Sequence, residues 1–172
     1  MDTNTQSITV AIADPDRDRR LEFERLLHEV IGVTLLTNGK SNNEVGNKQA
    51  FMGRRSKSSK GVTAYEDEVA RIQKLQPFIL VINLNKCTDD DYAFLLSLRR
   101  ICPHSRVILV IDDAILESQM MRALAIGTLG YLKFQNIEND LVRAIRVVSR
   151  GEAWIPRKII GNIMEYMSNL KD

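Results

Sequence analysis

The sequence predicts an α/β fold, a doubly wound parallel sheet of five strands followed by a C-terminal helical extension. Five apolar runs alternate along the chain with segments whose apolar residues recur at helical spacing. Strands that are each followed by a helix pair in parallel through right-handed crossovers. The five runs are continuously apolar rather than alternating, which is expected when helices cover both faces of a sheet.

The first strand and the first helix are predicted from residues 8–31. Residues 8–13 form a mainly apolar run that ends at Asp14, and a helix is expected to begin near Asp16. The apolar residues that follow recur at intervals of three and four, which is the period of one helix face. This predicted stripe consists of Phe23, Leu26, Leu27, Val30 and Ile31.

A basic insertion interrupts the pattern after the predicted second strand, residues 33–36. Residues 37–64 are rich in Asn, Gly, Ser, Lys and Arg and have no apolar period. Both a solvated loop and a contact to an anionic partner remain open for its cations. The cluster consists of Arg54, Arg55, Lys57 and Lys60. The next helix is predicted from its inward-facing residues Tyr65, Val69 and Ile72.

The second half of the chain repeats the alternation three times. Strands are predicted over residues 78–82, 106–111 and 129–134. The helix after each strand starts with acidic or amide residues that suit a helix N-terminus. These capping candidates are Asp89, Asp90 and Asp91 as a solvated cap, then Asp112 or Asp113, then Asn136. The inward residues of the helices are Phe94, Leu95, Leu98 and Ile101, then Ile137, Leu141, Ala144 and Val148.

This element order favours the flavodoxin-like strand order 2-1-3-4-5. In such sheets the ligand crevice lies at the carboxyl ends of the first and third strands, where the strand order reverses. Asp14 follows the first strand and Asn83 follows the apolar run of the third. We therefore expect these two side chains to meet in the crevice.

Two strings near the C-terminus carry a resemblance to a known family. Residues 125–134 read AIGTLGYLKF and residues 143–156 read RAIRVVSRGEAWIP. Both are similar to the end of CheY-like receiver domains in response regulators, and the second resembles the NarL/LuxR subfamily. In that subfamily a helix-turn-helix DNA-binding domain normally follows. The resemblance divides the chain into a receiver-like domain, residues 1–151, and a linker or helical extension, residues 152–172.

The resemblance implies a receiver pocket that has lost its chemistry. Receivers hold Mg²⁺ with two acids and a phosphoacceptor aspartate, because Mg²⁺ prefers oxygen ligands. Here Asp14 occupies the first acidic position, Pro15 the second, with Asp16 as a neighbouring substitute, and Asn83 stands at the phosphoacceptor position. An amide is a poor nucleophile, so we expect no phosphorylation. Asn83 is expected to be a satisfied amide in a filled pocket, or a polar hub bonded to Asp14.

The two positions that contact the phosphoryl group in receivers also differ. Ile111 stands where the resemblance expects Ser or Thr, and Phe134 stands where it expects Lys. Lys133 is one place early, and a one-residue slip in a strand points a side chain to the opposite face. Apolar residues at both positions would disfavour a metal and a phosphate. The resemblance thus implies a pseudo-receiver and not an enzyme.

Composition narrows the function further. A net charge of +2 over 172 residues does not by itself indicate nucleic-acid or membrane binding. No run approaches the roughly 18 apolar residues of a membrane span. The start MDTNTQS has neither a basic start nor an apolar core, so no signal peptide is expected. His28 and His104 have no partner at ligand spacing. We expect a cytoplasmic protein without a metal or cofactor.

The extension predicts a contact surface. Pro156 suits the first turn of a helix, and the apolar residues after it form a broad stripe that must be buried. Docking on its own domain with Trp154 as anchor, and pairing with a second chain, are both open. The favoured interpretation is a homodimer through this helix or through the face from the fourth to the fifth helix. The residues concerned are Trp154, Ile159, Ile160, Ile163, Met164 and Met167.

Three functions compete at this stage. A phosphorylation-independent module that controls transcription through a DNA-binding domain outside this chain agrees best with the resemblance. A stand-alone adaptor that binds signalling proteins and no DNA is the alternative. A small-ligand-binding flavodoxin-like domain is disfavoured, because the turn Asp14-Pro15-Asp16-Arg17 has no glycine-rich phosphate cradle.

Overall fold

A computed structural model confirms the predicted sheet. It describes residues 7–14, 16–37, 62–84, 89–111 and 117–169. All strand pairs are parallel and the order is β2-β1-β3-β4-β5. The strands are β1 (Ile8–Ala13), β2 (Val33–Leu35), β3 (Ile79–Leu84), β4 (Arg106–Ile111) and β5 (Thr128–Lys133). The helices are α1 (Arg17–Leu27), α2 (Val62–Leu75), α3 (Asp89–Ile101), α4 (Glu117–Ala125), α5 (Ile137–Ser149) and α6 (Arg157–Asn169).

Two hydrophobic cores lie on opposite faces of the sheet. One core packs α2, α3 and α4 through residues such as Ile72, Leu95 and Met120. The other packs α1 and α5 through residues such as Phe23 and Leu141. Every residue of β3 is buried, since the central strand is covered on both sides. The continuous apolar runs of the sequence have this physical cause.

Element boundaries differ from the sequence-based expectation in β2, β5, α1 and β3. Strand β2 ends at Leu35 instead of residue 36, and β5 covers Thr128–Lys133 instead of residues 129–134. Helix α1 ends at Leu27, and Ile31 is 90% exposed, so its place in the predicted apolar stripe was wrong. Strand β3 begins at Ile79 and continues to Leu84, so Asn83 lies inside the strand rather than after it. Asn83 pairs in register with Val110 of β4, which gives its side chain a fixed direction.

The helix starts agree only in part with the predicted caps. The Asp16 carboxylate accepts hydrogen bonds from the backbone N–H groups of Asp18 and Arg19, as expected for an N-cap. Asn136 is the N-cap residue of α5, as predicted, but its side chain makes no capping hydrogen bond. Asp90 and Asp91 lie within the first turn of α3. The alternative cap candidates Asp112 and Asp113 lie outside the described residues.

Two glycines explain why the motif AIGTLGYLKF has glycine at its third and sixth positions. Gly127 follows α4 with φ of +95°, a conformation that side chains with a Cβ rarely adopt. Gly130 lies in β5, where an added Cβ would be 2.8 Å from Cγ1 of Ile108 on the neighbouring strand. The motif therefore encodes a helix stop and a close packing of β5 on β4.

The C-terminal extension returns along β5. The backbone N–H of Tyr131 donates to the carbonyl of Trp154 (2.8 Å), and the N–H of Trp154 donates to the carbonyl of Leu129 (2.9 Å). Helix α6 then contacts α4, and Ile159 packs against the core on that side. The extension thus docks on its own domain, with Trp154 half-buried. No helix among the described residues is long and apolar enough to cross a membrane.

Part of the predicted contact stripe remains on the surface. Ile160 is 44% exposed and Met164 is 65% exposed, whereas Ile163 is half-buried. The Met167 side chain lies outside the described part of the structure. The four cationic residues of the insertion also lie outside the described residues: Arg54, Arg55, Lys57 and Lys60. Their predicted contact role stays a prediction.

Candidate functional site

The structure brings Asp14 and Asn83 together at the carboxyl ends of β1 and β3. Alternation along β3 places Asn83 on the α1 and α5 side of the sheet, with Val81. Its Nδ2 donates to Oδ2 of Asp14 at 2.6 Å. Both side chains are buried, Asp14 completely. The expected meeting of these two residues is therefore present in the structure.

Two further groups hold the Asp14 carboxylate. The backbone N–H of Asp16 donates to Oδ1 at 2.8 Å, which closes the turn between β1 and α1. Nε of Arg19 lies 3.5 Å from Oδ2 and forms an ion pair. Burial raises the pKa of Asp14 above its ordinary value, and the contacts with Asn83, Asp16 and Arg19 oppose that shift. The carboxylate is thus engaged by groups of the chain itself.

The Asn83 amide is satisfied on one side only. Its Nδ2 is bonded to Asp14, but its Oδ1 is buried and finds no hydrogen-bond partner in the described structure. Such an acceptor costs free energy, on the order of 1–3 kcal/mol. The expectation of a fully satisfied amide was therefore half correct. The polar contact to Asp14 is the part that the structure supports.

A second ionic cluster lies beside the crevice and was not predicted. Glu68 of α2 is buried and accepts the backbone N–H of Asp14 at 3.1 Å. Arg20 of α1 donates to Glu68 at 3.0 Å and to the Asp14 carbonyl at 2.9 Å. Arg71 donates to both oxygens of Glu68, at 2.7 and 2.9 Å, and to the Ile12 carbonyl. This cluster fastens α1 and α2 to the end of β1.

The sequence contains a signal for this cluster. Glu68 follows Tyr65 by three residues and precedes Ile72 by four, so it falls on the predicted inward face of α2. A charge on such a face needs a partner, because an unpaired buried carboxylate is costly. The arginines were missed because nothing local in the sequence connects Arg20 of α1 with a helix more than forty residues later.

The described residues do not suit a magnesium ion. Asp14 is paired with Arg19, and the Asp16 carboxylate, a candidate substitute ligand, caps α1 instead. The Asn83 amide oxygen is a weak neutral donor in place of a carboxylate. No group of three His, Cys, Asp or Glu side chains with metal-binding geometry occurs in the described ranges. Pro15 lies outside them.

The side chains at the other predicted pocket positions, Ile111, Lys133 and Phe134, do not all lie on the same side of the sheet. Phe134 packs on the same side of the sheet as Asn83, with its ring edge against Phe23 at 5.8 Å between centroids. Ile111 is buried in the opposite core, together with Tyr131 of the next strand. Lys133 is exposed and follows Tyr131 by two residues, so it also points away from the Asn83 side. Ile111 and Phe134 therefore lie on opposite faces of the sheet and do not form one apolar wall, contrary to the expectation from the sequence.

Solved structures similar to this chain include a response regulator receiver domain and a LuxR-family response regulator. The chain is similar to the isolated receiver domain of RcsB from Salmonella enterica serovar Typhimurium in its apo form (TM-score 0.64, 15% identity, covering 92% of this chain and 99% of that one). It is also similar to a LuxR-family two-component response regulator from Aurantimonas sp. SI85-9A1 (TM-score 0.62, 14% identity, 94% and 99% covered).

A third structural neighbour comes from another setting. It is a pilus assembly-related protein from Burkholderia pseudomallei K96243 (TM-score 0.58, 18% identity, 89% of this chain and 96% of that one covered). No protein-family profile matches the chain, and no curated protein sequence matches it. At these identities the likeness establishes the CheY-like receiver fold alone.

Proposed function

We propose that this chain is a phosphorylation-independent pseudo-receiver, a signalling module that acts through protein contacts. The observation that carries the proposal is the state of Asp14. Its carboxylate is bonded to the Asn83 amide and paired with Arg19. Where an active receiver needs a free carboxylate and a nucleophile, this chain has an occupied carboxylate and an amide.

The surroundings of the pair support the same proposal. Phe134 replaces the lysine that the receiver resemblance calls for, and its ring packs against Phe23 rather than offering a donor to a phosphoryl group. Lys133 points to the other side of the sheet. The proposal therefore assigns no catalysis and no metal or cofactor to the chain, and it locates its activity on the surface.

The control of transcription is the finer part of the proposal. LuxR-family response regulators are among the structural neighbours, and the string at residues 143–156 resembles that subfamily. In this scheme DNA is bound by a separate C-terminal domain, while the receiver-like domain sets its activity. A stand-alone adaptor is the second candidate, supported by the pilus assembly-related neighbour that this chain covers almost entirely.

A homodimer through α6 belongs to the same proposal. The extension covers the outer edge of β5, so a second copy has more access to α6 than to that edge. Ile160 and Met164 expose apolar surface on this helix. Sedimentation velocity on the wild type and on Ile160→Asp/Met164→Asp tests it, with Glu165→Gln as a control. A wild type that stays monomeric at about 100 μM removes the dimer, since a roughly 10 μM interaction is visible there.

Intact mass after incubation with acetyl phosphate and Mg²⁺ tests the central proposal. We expect no mass increase for the wild type, and a receiver that retains its aspartate serves as the positive control. We also expect no stable adduct on Asn83→Asp alone, because Arg19 and Phe134 remain in place. A phosphoryl adduct on the wild type that is lost in Asn83→Ala would contradict the proposal.

A further inference from the structure

A groove runs along the outer surface between α2 and α3, on the face of the sheet that does not contain the Asn83 pair. It encloses about 520 Å³. Its floor is aromatic: the rings of Tyr65 and Phe94 lie 4.6 Å apart between centroids. Ala70 of α2 and Ala93 of α3 face it from either side and are exposed. Small side chains at these two positions leave the floor open to an incoming apolar group.

A hydrogen bond between α2 and α3 fixes the position of the Tyr65 ring in the floor. The Tyr65 hydroxyl donates to Oδ1 of Asp91 at 2.7 Å, and Asp91 is buried in the first turn of α3. Burial and this hydrogen bond both raise the pKa of Tyr65, so the phenol stays protonated as the donor. The prediction that Asp91 belongs to a solvated cap was therefore wrong. Its role is to fix the ring that forms the groove floor.

The rim of the groove is acidic. Glu66 and Asp90 line it and are both exposed, and Asp67 follows directly on α2. No Lys or Arg occurs among the described residues that line the groove. The nearest arginine along α2, Arg71, is bound to Glu68 on the other side of the helix. The groove thus combines an aromatic floor with exposed carboxylates, and no Lys or Arg among the described residues lines it.

We propose that the α2–α3 groove is a docking site for a short basic segment of a partner protein. An apolar side chain enters over Tyr65 between Ala70 and Ala93, and flanking Lys or Arg residues face Glu66 and Asp90. Groove residues 65–73 span about 12 Å of helix, at about 1.5 Å per residue. The occupant is therefore two helical turns or about four extended residues. Charge complementarity sets its sign, and the aromatic floor sets its anchor.

Selection from a random displayed 12-residue peptide library on the full chain is the test. We expect enriched peptides to carry an apolar residue flanked by at least two Lys or Arg. A synthetic peptide of the enriched sequence should bind Ala93→Arg at least tenfold more weakly, because the new side chain fills and charges the groove. Glu66→Gln/Asp90→Asn should weaken binding about fivefold at low salt and less at high salt. Ala125→Arg on α4 and Glu165→Gln on α6 are the controls.

Circular dichroism and thermal unfolding show whether each variant is folded. If Ala93→Arg does not fold, Glu66→Gln/Asp90→Asn still tests the proposal, because it removes the charges and keeps the shape of the groove. Enriched peptides without basic residues, or affinities unchanged in both groove variants, would overturn the proposal. A zero-length cross-link between the chain's own Lys57 and Asp90 would also overturn it, because the occupant would then be the chain itself. The outcome is independent of the crevice: a chain that accepted a phosphoryl group could still bind such a peptide.

Discussion

The crevice beside Asn83 and the groove between α2 and α3 both contain carboxylates, but the two sets differ in burial and in partners. Asp14 in the crevice and Glu68 beside it are buried and form ion pairs with Arg19, Arg20 and Arg71 of the same chain. In the groove, the carboxylates of Glu66 and Asp90 stand on the surface beside aromatic floor residues. The crevice carboxylates are paired with arginines of the same chain, whereas the groove carboxylates are exposed to solvent.

This difference separates carboxylates that stabilise the fold from carboxylates that are available to a binding partner. A buried carboxylate is retained only when partners compensate for its desolvation, so its substitution changes folding. An exposed carboxylate contributes little to folding but is available to a partner. Crevice substitutions should therefore change stability and groove substitutions should change binding. The predictions below test that division, from the largest expected effect to the smallest.

Asn83→Asp is expected to cause the largest change. It removes the hydrogen bond from Nδ2 to Asp14 and places a second buried carboxylate beside the first. The free energy of unfolding at pH 7 should fall by about 3 kcal/mol, the scale for an uncompensated buried charge, and should recover partly at lower pH. Urea unfolding measures it, with the exposed Asn139→Asp as control. A variant as stable as that control would show that the crevice tolerates a second charge.

Glu68→Gln should destabilise the chain by about 2 kcal/mol, the scale of hydrogen bonds to charged groups. Glutamine keeps the shape and can still accept the Asp14 N–H, but Arg20 and Arg71 lose their ionic partner. The urea midpoint of Glu165→Gln, an exposed change on α6, provides the comparison. Equal midpoints would mean that the ionic cluster does not fasten α1 and α2 to β1.

Asp14→Asn should stabilise the chain at pH 7 by about 1 kcal/mol, because burial costs the charged carboxylate more than its partners return, and an amide carries no charge. Burial raises the pKa of Asp14 above 3.8. The folded chain therefore holds the Asp14 proton more tightly than the unfolded chain does. This contribution lowers stability as pH rises from the ordinary value through the raised one, and the variant should lack that decline.

Urea unfolding over a pH series on the wild type, Asp14→Asn and Asp67→Asn measures this dependence. Asp67→Asn is the matched control, since it makes the same chemical change on an exposed side chain of α2. If the wild type and Asp14→Asn change in parallel over the whole series, burial of Asp14 does not perturb its protonation.

Glu66→Gln/Asp90→Asn is expected to have the smallest effect on folding. Both side chains are exposed, and neither makes an ion pair among the described residues that the fold would lose. Its urea midpoint should match that of Glu165→Gln. A clear loss of stability would mean that Glu66 and Asp90 stabilise the fold, and the contrast between crevice and groove would then be wrong.

Most of the fold follows from local sequence patterns. Strand β4 has its predicted bounds, residues 106–111, because an apolar run between turn residues determines its own limits. The ends of α1 and β3 were predicted less well. Ile31 has helical spacing but lies beyond the last turn, and Leu84 continues β3 through pairing with Ile111 of β4, a tertiary contact that no local pattern contains.

The site was predictable where topology alone decides it. Strand order placed Asp14 against Asn83, and the structure agrees. The partners of Asp14 and Glu68 were not predictable, because Arg19 and Arg20 reach them only through the packing of α1 on the sheet. The groove was missed for a similar reason. Tyr65 and Asp91 come from different helices, and their hydrogen bond depends on how α2 and α3 pack.

The measurement that tests the central claim most directly is a ¹H–¹⁵N correlation spectrum of the full chain, recorded with and without Mg²⁺ and beryllium fluoride, a mimic of the phosphoryl group. Internal neutralisation of Asp14 by Asn83 and Arg19 predicts that the backbone signals of residues 14, 16 and 83 stay where they are. Saturable shifts at those signals, together with shifts on α4 or β5, would contradict the account, because the crevice would then bind the ligands of an active receiver.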